Sequence, residues 1–329
     1  TLSSSSAASD VYKRQVPHEP AVHRNDKRRG VQLVLGIVLF VVSQTLMVIP
    51  VAVYATAMGQ PEEIPNMIGF SGRSPELLPT VLLCVGVAFG IAFSVGGYLF
   101  IVSKVGGTPG NGMKGKRKFL EFILGVGTGI VLIALAVAVI WILGGYSVTG
   151  IHVGATLLPA LLVAVAMGLG PGFMEEILFR GFGLRILDAW WGWLPALLVT
   201  SLTFGLVHIT NPEASLFGAF AIALEAGVLL GAAYFLTRRL WLAIGIHTGW
   251  NFAQAGIFSS DVSGTGDTAG LLTATWEGPA WLTGGDMGVE ASVITIVIAL
   301  SAGILMLVLA RTHGMLKPSV KREQRVLQP

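Results

Sequence analysis

Two carboxylates, two imidazoles and one amide stand out in this chain because each interrupts an apolar run. The stretch Gly172-Phe-Met-Glu-Glu-Ile-Leu-Phe-Arg-Gly181 brings in Glu175, Glu176 and Arg180 after many uncharged residues. Charge in such surroundings is costly unless it is paired or put to use. On a helix Glu176 and Arg180 are i and i+4 and can pair, whereas Glu175 is turned about 100° away and has no such partner. Glu176 therefore reads as structural and Glu175 as available for chemistry. Phe204 and His208 are also four residues apart, as are His247 and Asn251, so each pair shares a helix face. Counted at 1.5 Å per residue from Arg185, Leu194 and Leu240, Glu175 lies ~15 Å deep, His208 ~21 Å, His247 ~10 Å and Asn251 ~17 Å. These depths form one layer, with the fifth helix taken to start at Leu194.

That set can activate water beside a carbonyl. A carboxylate in low dielectric gains affinity for a proton and can take one from water, with a histidine positioning that water. Glu175 and His208 fill these roles, and His247 and Asn251, one turn apart, can both donate hydrogen bonds to the oxyanion that forms. A divalent metal such as zinc is also allowed, since Glu175, His208 and His247 are ligand types that could lower the pKa of a bound water. The helical H-E-x-x-H motif is absent, so no cofactor is demanded by spacing. Glu225, in the middle of another apolar run, is expected to pair with Arg180 or to support the site from behind. Ser201 precedes His208 by a spacing that gives it no base, and Cys84 lies far from the motifs, so no covalent nucleophile is expected.

The elements that must position these residues are membrane helices. Of 329 residues, 53% are hydrophobic and only 12% charged, and the mean hydropathy is +0.75, which excludes an ordinary soluble domain. Eight apolar segments, near 31–57, 77–102, 119–144, 154–182, 194–211, 214–236, 240–258 and 289–310, are long enough to cross a bilayer. The predicted fold is an all-α, eight-span polytopic membrane protein. Basic residues cluster on alternate connections (Lys104 to Lys118, Arg185, Arg238-Arg239, Arg311 onward), with Arg73 the one basic residue on the acidic side. This places both termini in the cytoplasm of a prokaryotic plasma membrane.

Residues 1–15 read as a translated sequencing adapter, an expectation that excludes them from the fold. Residues 16–30 read as a basic cytoplasmic tail, 31–150 as N-terminal spans and 151–258 as a catalytic core. The 259–288 stretch reads as a flexible exterior loop, and 289–329 as the last span with a second basic tail. Nothing resembles a basic groove with interleaved aromatics, which excludes nucleic acid as a partner. The single cysteine excludes an intrachain disulfide.

Glu175-Glu176-x-x-x-Arg180, Phe204-x-x-x-His208 and His247-x-x-x-Asn251, in that order on three helices, resemble the three motifs of the CPBP family, the CAAX proteases and bacteriocin-processing enzymes. The resemblance spans about residues 150 to 258. It implies a CAAX-protease-like bundle in which Glu175 is the catalytic carboxylate, His208 its partner on the water, and His247 with Asn251 the oxyanion donors. Glu176 and Arg180 would hold the first motif helix in place. The implied activity is intramembrane cleavage of a membrane-associated protein or peptide, in contact with the lipid bilayer. Two alternatives use the same features: an immunity or scaffold protein of the same fold without proteolysis, and a proton-coupled transporter. Gly69-Phe-Ser-Gly72 and Gly264-Thr-Gly-Asp267 resemble rhomboid and aspartyl-protease motifs but sit in expected exterior loops, without partner residues.

Overall fold

The computed structural model describes residues 26–67, 76–108, 112–266 and 268–316. The adapter-like stretch, residues 16–25 of the expected tail, Gly69 to Gly72, Arg73, Asp267 and the basic residues from Lys317 onward lie outside the described residues. The protein is an integral membrane protein, and its described residues are mostly helical. Among the described residues, seven helices are long and apolar enough to cross a bilayer: α1 Arg29–Ala57, α2 Leu77–Val105, α3 Lys118–Ile142, α4 Leu157–Trp191, α5 Trp193–Thr210, α6 Leu216–Thr237 and α8 Val293–Thr312. The remaining expected span is helix α7, which runs α-helical over Trp241–Phe252 and π-helical over Ala253–Ile257. It is shorter than any of the seven, so the described helices give seven candidate spans in place of the expected eight.

Gly192 separates α4 from α5. Its φ of 89° is open to glycine and strained for other residues, and it lets Trp193 start a new helix one residue before the expected Leu194.

The fold is not wholly helical. Strand β1, Tyr146–Ile151, pairs antiparallel with β2, Leu272–Trp276, with an irregularity between Val148 and Gly150. The second strand lies inside the stretch expected to be a flexible loop. Tyr146 explains why this stretch is ordered: its ring lies 4.5 Å from that of Trp276 and 6.2 Å from that of Phe258. With Val262, Met287 and Val289 also buried, the connection packs as part of the structure.

Three ion-pair sets close the end of the bundle where α1, α3 and α7 begin. Arg185 binds Asp26 and donates to Gln32 Oε1 (2.8 Å), and Gln32 in turn donates to Asp26 Oδ1 (2.6 Å). Arg238 pairs with Asp188 at 2.6 Å, and Arg239 forks onto both carboxylate oxygens of Glu121. Asp26, expected to lie in a tail, is instead buried in this layer.

Helix α7 is seated by small residues. A Cβ on Gly125 or Gly129 of α3 would fall 2.6 Å from Leu242 O or 2.2 Å from Ile246 O, and one on Gly245 or Gly249 of α7 would strike Phe122 O or Val126 O. Glycines four apart on both helices thus let the two backbones touch, the close approach that drives helix association in lipid. His247 and Asn251, two residues on from Gly245 and Gly249, are thereby turned to the opposite side of α7.

Candidate active site

Glu175 and Glu176 end the α-helical part of α4, which becomes π-helical over Ile177–Leu184. Glu176 is fully buried and ties two motifs together: its Oε1 accepts from Arg180 Nη1 at 2.9 Å and from His247 Nδ1 at 3.0 Å. The pairing to Arg180 is the one the four-residue spacing anticipates, and the bond to His247 is an addition from the fold. Arg180 also donates through Nη2 to the carbonyls of Ala226 (3.1 Å) and Gly227 (3.2 Å), and its guanidinium lies 4.5 Å from the centre of the Phe204 ring. Phe204 further packs edge-on to Phe179 and to His247, with centroids 5.0 and 6.0 Å apart. The phenylalanine of the second motif therefore locks the first motif to the third.

His208 lies just past the α-helical part of α5, in a 3₁₀ turn over His208–Thr210. Its Nδ1 is 2.7 Å from Phe204 O. A carbonyl can only accept, so Nδ1 carries the proton and Nε2 keeps its lone pair for a water. By the same reasoning His247 donates its Nδ1–H to Glu176, leaving Nε2 for other work. Asn251 donates to Met167 O at 3.1 Å through one amide hydrogen, and the second remains. Glu175 and Glu176 each have a buried Oε2 without a protein partner, but Glu176 is held through its Oε1, whereas Glu175 lines a cavity with His208, His247 and Asn251.

These four side chains line one cavity of about 410 Å³, together with Gln44 and Met47 of α1. The structure thus brings Glu175, His208, His247 and Asn251 to a common space, with Glu176, Arg180 and Phe204 packed behind. One alternative for Glu225 fails. Glu225, in the π-helical stretch Ala223–Gly227 of α6, does not pair with Arg180: both of its oxygens lack a partner, and Arg180 binds the two carbonyls that follow it. The π-helical backbone presents those carbonyls to the guanidinium in place of the carboxylate. Nor do Glu175, His208 and His247 gather into a metal site, for among the described residues no three His, Cys, Asp or Glu side chains could hold a metal ion.

Glu290 is a buried participant not anticipated from the sequence. Its Oε1 accepts from Trp250 Nε1 (2.8 Å) and Gln254 Nε2 (3.1 Å), and its Oε2 from Ser263 Oγ (2.6 Å). A void of about 10 Å³, room for one water, lies between Phe204, His208, His247 and Glu290. Gln254, polar in an apolar run and four residues past Trp250, is the sequence signal that could have disclosed it. Ser263 O accepts from Asn211 at 2.7 Å, and Val262, Ser263 and Thr265 line the large cavity, so the connection after α7 forms part of the site wall.

With this geometry in view, comparison with known proteins is informative. Residues 156–253, which contain all three motifs, match the family described as type II CAAX prenyl endopeptidase Rce1-like. This match supports the CPBP, or CAAX protease, family for that region of the chain. No curated protein and no solved structure matches the chain. The matched region begins at α4 and ends within α7, so the walls supplied by α1, α2 and the 259–266 connection lie outside it. The matched family is one of proteases, which supports a peptide hydrolase with a membrane-associated substrate.

Proposed function

We propose that the protein is an intramembrane endopeptidase that cleaves a membrane-associated protein or peptide with water activated by Glu175 and His208. The observation that carries this reading is the carboxylate oxygen of Glu175, buried without a partner in the cavity that His208, His247 and Asn251 also line. His208 Nε2 accepts a hydrogen bond from the water and orients it, and Glu175 takes its proton as the oxygen attacks the peptide carbonyl. The oxyanion receives the remaining amide N–H of Asn251 and the Nε2–H of His247 as an imidazolium paired with Glu176. Glu175 then passes its proton to the departing amine. Ser201 supports a mechanism without an acyl-enzyme, since it packs against Gly227, where a Cβ would meet its own at 2.7 Å, and its Oγ lacks a partner.

The catalytic core is proposed to be 151–258, with α7 as the eighth crossing and both termini on the cytoplasmic face of a prokaryotic plasma membrane. The motivation is the alternation of basic connections. Reporter fusions after Lys118 and after Gly264 are expected on opposite sides, and the same side for both would break the eight-span arrangement. The activity itself is tested on native membranes with the protein present or absent, read as new protein termini by mass spectrometry. Termini that depend on the protein are expected; none at high expression would contradict proteolysis.

A further inference from the structure

Outside the three motifs, one polar side chain enters the cavity from the N-terminal helices. Phe40, Gln44 and Met47 lie at i, i+4 and i+7 on α1 and line the cavity with Leu83 and Val87 of α2. The wall built by α1 and α2 is therefore apolar except for Gln44, whose Oε1 is buried without a hydrogen-bond partner. A glutamine in the middle of a membrane helix is expensive unless something satisfies it. Its placement is fixed by the packing of α1 on α2: a Cβ on Gly86 would lie 1.9 Å from Met47 O, and one on Gly90 would lie 2.9 Å from Ser43 O. This contact clamps α1 on both sides of Gln44 in sequence and so fixes where its backbone stands against the cavity.

A peptide entering such a cavity brings its own unsatisfied N–H and C=O groups into low dielectric. The motif side offers them a base and oxyanion donors at the reacting carbonyl, while the α1–α2 wall offers only Gln44. A primary amide supplies both an acceptor and donors, which is what an extended main chain requires. We infer that Gln44 is a substrate-binding residue that pairs with the main chain of the peptide next to the scissile bond. The assignment rests on the protease reading above and adds to it a contact from outside the family-matched region. Gln44 would fix how far the chain slides past Glu175, and so which bond is cut.

The test uses the full-length protein in liposomes and an internally quenched farnesylated peptide with a CAAX-type C-terminus. A second set of peptides replaces one backbone amide at a time by an ester, which removes a single N–H. Gln44→Leu is expected to raise KM about five- to tenfold, the worth of roughly one hydrogen bond, with kcat and the thermal midpoint close to wild type. One ester peptide should show the same loss with the wild-type protein and no further loss with Gln44→Leu. An unchanged KM in Gln44→Leu, or ester effects that are identical in both proteins, would overturn the assignment while leaving the protease reading intact. Failure of the wild-type protein to cut the peptide would overturn the protease reading for this substrate class and the Gln44 assignment with it.

Discussion

At the end of the bundle where α1, α3 and α7 begin, every arginine of the ion-pair layer meets a carboxylate: Arg185 with Asp26, Arg238 with Asp188, Arg239 with Glu121. In the motif layer deeper in the bundle, Glu176 is tied through one oxygen to Arg180 and His247, whereas Glu175 next to it lines the cavity with a buried oxygen that has no partner. The first layer uses charge to hold helix ends in register, and its carboxylates are committed within the protein. The second holds one carboxylate, two imidazoles and one amide in fixed positions while leaving an atom of each uncommitted. That difference separates charge that supports the fold from charge positioned to do chemistry, and adjacent residues of one helix can belong to opposite classes.

Substitutions at the boundary between these classes sharpen the contrast. The largest combined effect is expected for Glu176→Gln, which strands Arg180 and releases His247. Breaking a buried pair costs about 3–5 kcal/mol, so both the yield of folded protein and turnover should fall. Normal yield with loss of turnover alone would move Glu176 into the chemical class. Asn251→Ala should act mainly on rate, with a loss of about 10²- to 10³-fold. Because Asn251 also donates to Met167 O, a stability loss near 1 kcal/mol accompanies it. A rate within severalfold of wild type would remove Asn251 from the oxyanion site.

The smallest effect concerns the connection after α7. Burial pushes the Asp261 carboxyl up from 3.8 to about 7, against hydrogen bonds from the Gly266 and Thr265 N–H groups that lower it, with nearby Glu290 adding to the rise. A carboxyl whose folded pKa lies above its unfolded one favours the protonated fold. Its contribution is therefore full below about pH 4 and is lost as pH rises through about 7. The thermal midpoint should fall between pH 5 and pH 8 by more in the wild-type protein than in Asp261→Asn. Equal falls in both would show that Asp261 does not govern the change.

Much of the site was legible because helical spacing is local information. Glu176 to Arg180, Phe204 to His208 and His247 to Asn251 all follow from a four-residue interval, and the apolar runs disclosed the helices that carry them. What was not legible depended on longer range or on backbone detail. The π-helical stretch at Ala223–Gly227 turns carbonyls, in place of the Glu225 carboxylate, toward Arg180. The order of the 259–288 connection depends on β1, more than a hundred residues earlier, and on Glu290 at the edge of α8. Gly125, Gly129, Gly245 and Gly249 were visible as two four-residue intervals, but only the packing of α3 on α7 shows that they meet.

The central claim is that Glu175, the carboxylate that lines the cavity with an oxygen lacking a protein partner, performs the chemistry. Its most direct test is kcat for purified Glu175→Gln beside wild type in the same liposomes, with the thermal midpoint measured on the same samples. The expected result is a kcat lower by about 10²- to 10⁴-fold at an unchanged midpoint, because Glu175 holds nothing together. A folded Glu175→Gln protein that turns over within tenfold of wild type would contradict the account.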